Sequence, residues 1–261
     1  MNSFLHSLRR AIIKSHRKAL AREVFSRHAG VIQRGPFAGI RFNGDANISQ
    51  SAHGLKIYGL YEEPVCDWLL AALTSMTGDG PRTFVDVGAG DGYYPVSLLA
   101  KGFCEQAVAF EATETGRMAI ARNAELNQVS KALRALGAAE GDFAAQLQSL
   151  GLDGARTVVL MDVEGAEFQL LNASALHQLK GAFIAVELHD RYGRVDASAR
   201  QRLVDSLSAN WTVEVVRDRA RDWSPLNELT AWHDLDRAVL LSEGRKIIGE
   251  WLFARPGSAP T

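Results

Sequence analysis

Carboxylates stand at the ends of two short apolar segments that lie about seventy residues apart in the chain. Residues 83–87 contain Asp86 and run directly into the glycine-rich stretch 88–92, and residues 157–161 are followed by Asp162. A buried parallel strand is typically such a short apolar run, and ligands bind beyond the carboxyl ends of parallel strands. The two acids therefore predict a single ligand site at the end of one sheet.

The glycine-rich stretch has the spacing G-x-G-x-G, with glycines at Gly88, Gly90 and Gly92, whereas a dinucleotide fingerprint requires G-x-G-x-x-G. Glycine lets the backbone turn sharply and lets a ligand come close. A pyrophosphate binds bare amides at a helix N-terminus, but Asp86 and Asp91 would repel it. These acids favour S-adenosylmethionine, which carries a sulfonium and an ammonium and no phosphate. The alternative is that Asp91 caps the next helix and that local hydrogen bonds hold Asp86.

Glu111 ends the next apolar run and lies 21 residues after Gly90. An acid at this place accepts hydrogen bonds from both ribose hydroxyls of an adenosine cofactor, whether NAD or S-adenosylmethionine. A solvated glutamate at a strand end is the alternative. The small residues 137–139, after the third predicted strand, would let adenine lie flat against the backbone.

Asp162, Glu187 and His189 are the candidates for the chemistry itself. A carboxylate at the tip of an apolar strand needs a partner, and a methionine ammonium or a substrate hydroxyl would give Asp162 one. Alternation along the fifth predicted strand places Glu187 and His189 on the same side, where the histidine can act as general base for a hydroxyl. The alternatives are a structural histidine and a divalent metal bound by all three side chains. Glu164 and Glu167 are interpreted as acids that favour the next helix N-terminus.

The elements that must position these residues alternate between strand and helix. Strands are predicted near 83–87, 107–111, 132–136, 157–162 and 182–188, with two more near 211–217 and 237–242. Helices are predicted near 62–75, 93–101, 115–127, 166–179 and 197–208. This order predicts an α/β fold with a doubly wound, mostly parallel seven-stranded sheet. We expect residues 1–57 to form a helical and hairpin extension, with the hairpin at 31–42, and residues 58–261 to form the main domain.

Composition limits the class of protein. The chain has 261 residues, of which 47% are hydrophobic, and this is enough for one large core. The net charge of -1 does not favour nucleic acid as a partner. Cys66 and Cys104 lack a zinc spacing and do not suggest a disulfide framework, so a reducing cytoplasm is the expected location.

The first 28 residues are basic, with seven Lys and Arg and one Glu. They predict a helix that carries Leu5, Leu8, Ile12 and Ala19 near one face and packs on the domain. Contact with a membrane surface or with a partner protein is the alternative. No stretch of the sequence approaches the roughly 18 apolar residues of a membrane span.

Four stretches resemble the FkbM family of class I S-adenosylmethionine-dependent methyltransferases: residues 84–94, 107–128, 160–171 and 183–190. The hexapeptide DVEGAE at 162–167, followed by an E-L-H strand end, is the most specific part. The resemblance implies a Rossmann-like fold, with S-adenosyl-L-methionine bound by Asp86, Gly88, Ala89, Gly90, Glu111, Ala112 and Asp162. The family commonly has other residues where this chain has Gly90 and Ala112, and neither change removes a required side-chain group.

The resemblance also implies methylation of a hydroxyl on a sugar, a glycan or glycolipid, or a related small metabolite. Methyl transfer needs mainly alignment of nucleophile, methyl carbon and sulfur, and a weak oxygen nucleophile additionally needs a base. Two other functions stay open at this point. One is a catalytically silent S-adenosylmethionine-binding sensor or scaffold, and the other is an NAD-dependent oxidoreductase.

Overall fold

The computed structural model describes residues 2–44, 52–190, 196, 198–245 and 247–257. Its strands are β1 (Thr83–Val87), β2 (Gln106–Phe110), β3 (Leu133–Leu136), β4 (Thr157–Met161), β5 (Phe183–Glu187), β6 (Trp211–Arg217) and β7 (Glu250–Pro256). They form one seven-stranded sheet in the order β3-β2-β1-β4-β5-β7-β6. Neighbouring strands in this order pair in parallel, except that β7 pairs antiparallel with β5 and with β6. The predicted mostly parallel, seven-stranded sheet is confirmed.

The helices are α1 (Asn2–Arg27), α2 (His53–Tyr58), α3 (Glu63–Ser75), α4 (Tyr93–Ala100), α5 (Glu114–Leu126), α6 (Phe143–Leu150), α7 (Glu167–Leu170), α8 (Ala173–Gln178), α9 (Ala199–Ser208) and α10 (Asp234–Leu240). Short 3-10 turns lie at Gly154–Arg156 and Asn227–Ala231. In the described part of the chain, no helix is both long enough and apolar enough to cross a membrane.

The sheet is covered by helices on both faces, which explains why its central strands consist mainly of apolar residues. One face carries alternate residues of β1, β2, β4 and β5 and packs against Leu147 of α6, Leu176 of α8 and Leu203 of α9. On the opposite face Ala109 of β2 packs with Ile120 of α5. Every residue of β1 and β4 is buried. Full burial of an aliphatic side chain contributes roughly 1.5–3 kcal/mol, so these two strands anchor the part of the sheet that carries the candidate site.

The chain order reverses between β1 and β4. From β1 the chain continues outward to β2 and β3, and it then returns to the other side of β1 as β4. The last residue of β1, Val87, is level with Phe110 of β2 and with Met161 of β4. Ligands bind in the crevice at such a switch point, beyond the carboxyl ends of the strands.

The strand predicted near 237–242 is wrong. These residues belong largely to helix α10, and the seventh strand of the sheet is β7, further along the chain. The imidazole of His233 caps α10 by accepting a hydrogen bond from the N–H of Leu235, and two aspartates in the first turn favour the helix N-terminus. A short run of Ala, Val and Leu fits helix and strand equally well, so this cap decides the outcome.

Two other predicted elements differ in detail. Residues 31–42 reverse direction as a hairpin would, but they form only one isolated antiparallel bridge, between Val31 and Arg41. The helix predicted near 166–179 is divided into α7 and α8. The side chain of Asn172 accepts a hydrogen bond from the N–H of Ala175 and so starts α8 as a new helix.

The chain divides into two compact units. The first consists of Met1–Glu63 and Arg219–Lys246, and the second of Pro64–Asp218 and Ile247–Thr261. The first unit has its own core, in which Leu20 and Val24 of α1 pack with Leu55, Tyr58 and Leu240. The second unit contains the whole sheet. The domain boundary proposed at residue 57 stays a prediction.

Helix α1 forms as predicted, but a different face of it is buried. Leu5, Leu8 and Ile12 are 47%, 46% and 59% exposed, whereas Leu20 and Val24 are buried. Ala19 is also exposed. Among the side chains of α1 that the structure describes, the buried ones lie in the C-terminal half and follow a stripe rotated away from the predicted one.

Candidate active site

The glycine loop after β1 has a backbone that only glycine adopts easily. Gly88, Gly90 and Gly92 have φ angles of 95°, 57° and 80°, in the left-handed region. A Cβ atom on Gly88 would lie 1.9 Å from the carbonyl oxygen of Asp162. The tips of β1 and β4 therefore touch, and the absence of a side chain at Gly88 allows this contact. Gly92 is the N-cap residue of α4, so the cap position is not Asp91.

The amides of the loop are bound to β2 and to the acid that follows it. The N–H groups of Gly88 and Ala89 donate to the carbonyl oxygen of Phe110, at 2.9 and 3.0 Å. The N–H of Gly90 donates to Oε2 of Glu111 at 3.0 Å. The loop and Glu111 are thus one connected structure.

Glu111 is buried and its carboxylate is held in one position. Oε1 accepts hydrogen bonds from the N–H and the hydroxyl of Thr113, at 2.9 and 2.6 Å. A Cβ atom on Gly116 would lie 2.4 Å from Cγ of Glu111, so α5 leaves room for this side chain only because it has glycine there. A carboxylate has about four acceptor positions, and three are used by these contacts and by the loop, which leaves capacity for a ligand hydroxyl. Ala112 follows at an exposed position, where its carbonyl accepts a hydrogen bond from Arg117.

The two acids of the glycine loop are buried. Asp86 is 2% exposed and Asp91 is 4% exposed. Asp86 alternates along β1 with Val85 and Val87, which lie in the main core, so it belongs to the opposite face of the sheet. The side chain of Asn123 donates to the carbonyl oxygen of Asp91 at 2.8 Å and ties the loop to α5.

Asp162, Glu187 and His189 form a cluster at the ends of β4 and β5. One ligand atom of each lies within 4.8 Å of the others. Nε2 of His189 is 3.6 Å from Oδ1 of Asp162 and 3.9 Å from Oε2 of Glu187. The Asp162 side chain is 35% exposed and the other two are at most 5% exposed, so the cluster is reached from the side of Asp162. These three side chains could take up a proton or bind a divalent cation.

Glu167 orients the histidine, a role that the sequence did not reveal. Its Oε1 atom accepts a hydrogen bond from the N–H of His189 at 2.9 Å and lies 3.3 Å from the Nδ1 atom. Its Oε2 atom accepts from the N–H of Gly165 at 2.8 Å. Glu167 is completely buried. A proton on Nδ1 shared with Glu167 leaves Nε2 as the basic nitrogen, on the side of Asp162 and Glu187.

The charge around His189 favours its protonated form. Burial lowers the pKa of His189, but the hydrogen bond to Glu167 and the charges of Asp162, Glu167 and Glu164 outweigh burial and place this pKa above the usual value of 6.5. An imidazole in this setting accepts a proton readily.

Cysteine chemistry does not contribute to the site. Cys66 and Cys104 are buried, and neither is part of a disulfide. Burial, with a smaller effect of Glu105, raises the pKa of Cys104 to about 12. Because the thiolate is the nucleophilic form, Cys104 is inert at neutral pH.

Strand register places the candidate residues in one row. Val87, Phe110 and Met161 are level with one another at the ends of β1, β2 and β4. The residues that directly follow them, Gly88, Glu111 and Asp162, therefore lie in a row. Met161 is also level with Val186 of β5, so Glu187 continues this row. Neighbouring strands are about 4.8 Å apart, so the row spans roughly 14 Å from β2 to β5. An extended ligand along it would meet Glu111 near one end and the His189 cluster near the other.

The fold is similar to that of known methyltransferases. An O-methyltransferase from Bacillus cereus in complex with SAH has a TM-score of 0.52 and 14% identity, over 92% of this chain and 91% of that chain. The O-methyltransferase TomG from Streptomyces achromogenes, involved in tomaymycin synthesis and in complex with SAM, has a TM-score of 0.50 and 16% identity, over 83% and 92%. No family model and no curated protein matches the sequence. The chain has the class I methyltransferase fold.

Proposed function

We propose that this protein transfers the methyl group of S-adenosylmethionine to a hydroxyl oxygen. The observation that carries the proposal is the row of Gly88, Glu111, Asp162 and Glu187 at one sheet edge, with the basic nitrogen of His189 beside its β5 end. The complexes of the two similar structures with SAH and SAM support the choice of cofactor.

The residues of the row fit the parts of this cofactor. Glu111 would accept a hydrogen bond from the ribose, because its fixed carboxylate keeps an acceptor position in addition to its three protein contacts. Gly88, Ala89 and Gly90 would let the ligand approach the backbone. Asp86, which precedes this loop, and Ala112, which follows Glu111, would complete the cofactor site. Asp162, the most open acid of the cluster, would bind the methionine ammonium. When bound, S-adenosylmethionine supplies an electrophilic methyl group and a neutral leaving group.

His189 has the role of general base. The acceptor hydroxyl gives up its proton as its oxygen bonds to carbon, and Nε2 of His189 takes that proton. Asp162 and Glu187 then stabilise the imidazolium through their charges, and Glu167 keeps the ring in place through Nδ1 and the backbone amide. The protein otherwise contributes alignment and exclusion of water, which provide much of the acceleration in methyl transfer.

The acceptor is a hydroxyl of a sugar, free or within a glycan or glycolipid. The resemblance to the FkbM family supports this class, through the DVEGAE hexapeptide and the E-L-H strand end. The reaction needs no nucleic acid partner, and a reducing cytoplasm suits two cysteines that form no disulfide.

The test is transfer of a labelled methyl group to a panel of monosaccharides, oligosaccharides and glycolipids. We expect label in at least one carbohydrate fraction, and loss of about a hundredfold in turnover for His189→Gln. His177→Gln is the matched control, because His177 is an exposed histidine on α8. Cofactor binding without transfer to any fraction would indicate a sensor or scaffold, and hydride transfer from NADH would indicate an oxidoreductase.

A further inference from the structure

A basic cleft lies in the first compact unit, whereas the candidate active site belongs to the second. Its volume is about 540 Å³, and it is lined by Arg10, Ile13, Lys14, Arg17, Gly244 and Arg245. The first four belong to α1, and the last two follow α10. Four of these lining residues are cations and none of them is a carboxylate.

Arg17 is the buried cation of the cleft. It is 7% exposed, and its Nε atom is buried without a hydrogen-bond partner among the described residues. Its Nη1 atom donates only a long hydrogen bond, 3.4 Å, to the carbonyl oxygen of Ser242. A buried cation with an unused donor is costly unless a ligand satisfies it. Gly244 contributes by its lack of a side chain, since a Cβ atom there would lie 1.7 Å from Nη1.

The acids near the cleft are already bound to other cations. Glu243 pairs with Arg221 and with Arg245, the latter at 2.5 Å. Arg245 also donates to Oε1 of Glu62 at 2.8 Å. Glu62 and Glu243 thus interact with three arginines, which are Arg17, Arg221 and Arg245. Arg10 and Lys14 add two more positive charges. The local charge is positive.

We propose that this cleft binds a phosphate group. Guanidinium groups and ammonium groups together are the usual ligands of phosphate in proteins, and the planar fork of arginine fits its oxygens. The volume lies within the range of small-molecule sites and exceeds what a single phosphate ion fills, so the phosphate is part of a larger molecule.

The phosphate can belong to a soluble organic phosphate or to a phospholipid headgroup. The second source has a specific observation in its favour. Leu5, Leu8 and Ile12, in the same half of α1 as Arg10 and Lys14, are each about half exposed, and Ile13, which lines the cleft, is 51% exposed. A basic helix with exposed aliphatic side chains binds at the surface of anionic membranes.

The experiment uses two probes with the full-length protein. One is sn-glycerol 3-phosphate, followed by calorimetric titration, and the other is vesicles of phosphatidylglycerol and phosphatidylcholine, followed by co-sedimentation against vesicles of phosphatidylcholine alone. We expect saturable binding to at least one phosphate probe. Arg10→Gln combined with Lys14→Gln should weaken it about tenfold, because two charged contacts are lost. Circular dichroism checks that each variant is folded.

A matched control separates the cleft from general attraction to positive charge. Arg22 is an exposed residue of α1 that does not line the cleft, and Arg22→Gln should change binding less than about twofold. Vesicle binding that falls both in the cleft variant and in Leu8→Ser combined with Ile12→Ser identifies a lipid headgroup. Binding of glycerol phosphate by a wild-type protein that does not bind the vesicles identifies a soluble phosphate. Absence of binding to both probes would overturn the proposal, as would equal losses in Arg22→Gln and in the cleft variant.

Discussion

The Oε1 atom of Glu167 accepts a hydrogen bond from the backbone N–H of His189 at 2.9 Å and lies 3.3 Å from the Nδ1 atom of His189. One buried carboxylate thus fixes both the backbone and the ring of the proposed base. Because Nδ1 is directed at Glu167, Nε2 is left on the side of Asp162 and Glu187. The orientation of the base depends on a residue that does not itself touch the reacting atoms in the proposed mechanism.

Replacing Glu167 should therefore affect turnover more than cofactor binding. Glu167→Gln keeps the shape of the side chain but removes the charge that holds the Nδ1 proton. We expect turnover to fall at least about tenfold, with the dissociation constant for S-adenosylmethionine changed less than about twofold. Glu125→Gln, which changes an exposed acid of α5, is the control and should keep turnover near the wild-type value. Equal turnover in the two variants would remove Glu167 from the mechanism.

A single added methyl group on α5 should weaken cofactor binding. In Gly116→Ala the new Cβ would lie 2.4 Å from Cγ of Glu111, so the carboxylate must leave its position beside the glycine loop. Alanine ordinarily stabilises a helix relative to glycine by about 1 kcal/mol, so weaker binding cannot be attributed to poor helix propensity. We expect at least about tenfold weaker binding in a calorimetric titration. Thr115→Ala, at the neighbouring exposed position, should bind normally, and normal binding by Gly116→Ala would contradict the role of Glu111.

Removal of divalent metal should leave methyl transfer unchanged. The distances of 3.6 and 3.9 Å from Nε2 of His189 to Asp162 and Glu187 fit carboxylates that stabilise an imidazolium. The measurement is the initial rate before and after treatment with EDTA. Activity that EDTA abolishes and that Mg²⁺ or Mn²⁺ restores would assign Asp162, Glu187 and His189 to a metal site instead.

The first compact unit should lose stability in acid through Glu228. Burial raises the pKa of Glu228, but hydrogen bonds from Tyr58 and Arg27 and the charge of His28 outweigh burial and hold it below the ordinary value of 4.5. A carboxylate whose pKa is lower in the folded state stabilises the fold above the unfolded value, and this contribution is lost as pH falls through the folded value. The ionised Glu228 therefore stabilises the first unit above about pH 4.5, and this contribution is lost as pH falls below that value.

Thermal unfolding of Glu228→Gln measures this contribution. The variant should be less stable than the wild type by about 1–3 kcal/mol at pH 7, and the difference should shrink as pH falls below about 4.5. Glu23→Gln is the control, because Glu23 is an exposed acid that also binds Arg27, and it should cost less than about 1 kcal/mol. A difference that stays constant from pH 7 to pH 3.5 would rule out the ionised Glu228 as its cause.

The sheet could be predicted because local sequence determines it. The segments around Asp86, Glu111 and Asp162 are short apolar runs that end in an acid, and burial on both faces of a parallel sheet requires such runs. The level alignment of Glu111 and Asp162 follows from the parallel register, so the row of candidate residues could also be predicted from the sequence.

Other features depend on contacts that the sequence does not show. Glu167 meets His189 across 22 residues of chain, and in the sequence it has the appearance of an ordinary acid at a helix start. The run at 237–242 contains no signal that separates helix from strand, and the cap by His233 decides it. The buried face of α1 is set by Leu55, Tyr58 and Leu240, which pack against Leu20 and Val24, whereas Leu5, Leu8 and Ile12 stay exposed.

The most direct measurement is a calorimetric titration of the wild-type protein and of Glu111→Gln with S-adenosylmethionine, with NADH as the control ligand. We expect saturable binding of S-adenosylmethionine with one site per chain, no binding of NADH, and at least about tenfold weaker binding by Glu111→Gln. Binding of NADH, or no binding of S-adenosylmethionine by the wild-type protein, would contradict the proposed cofactor site.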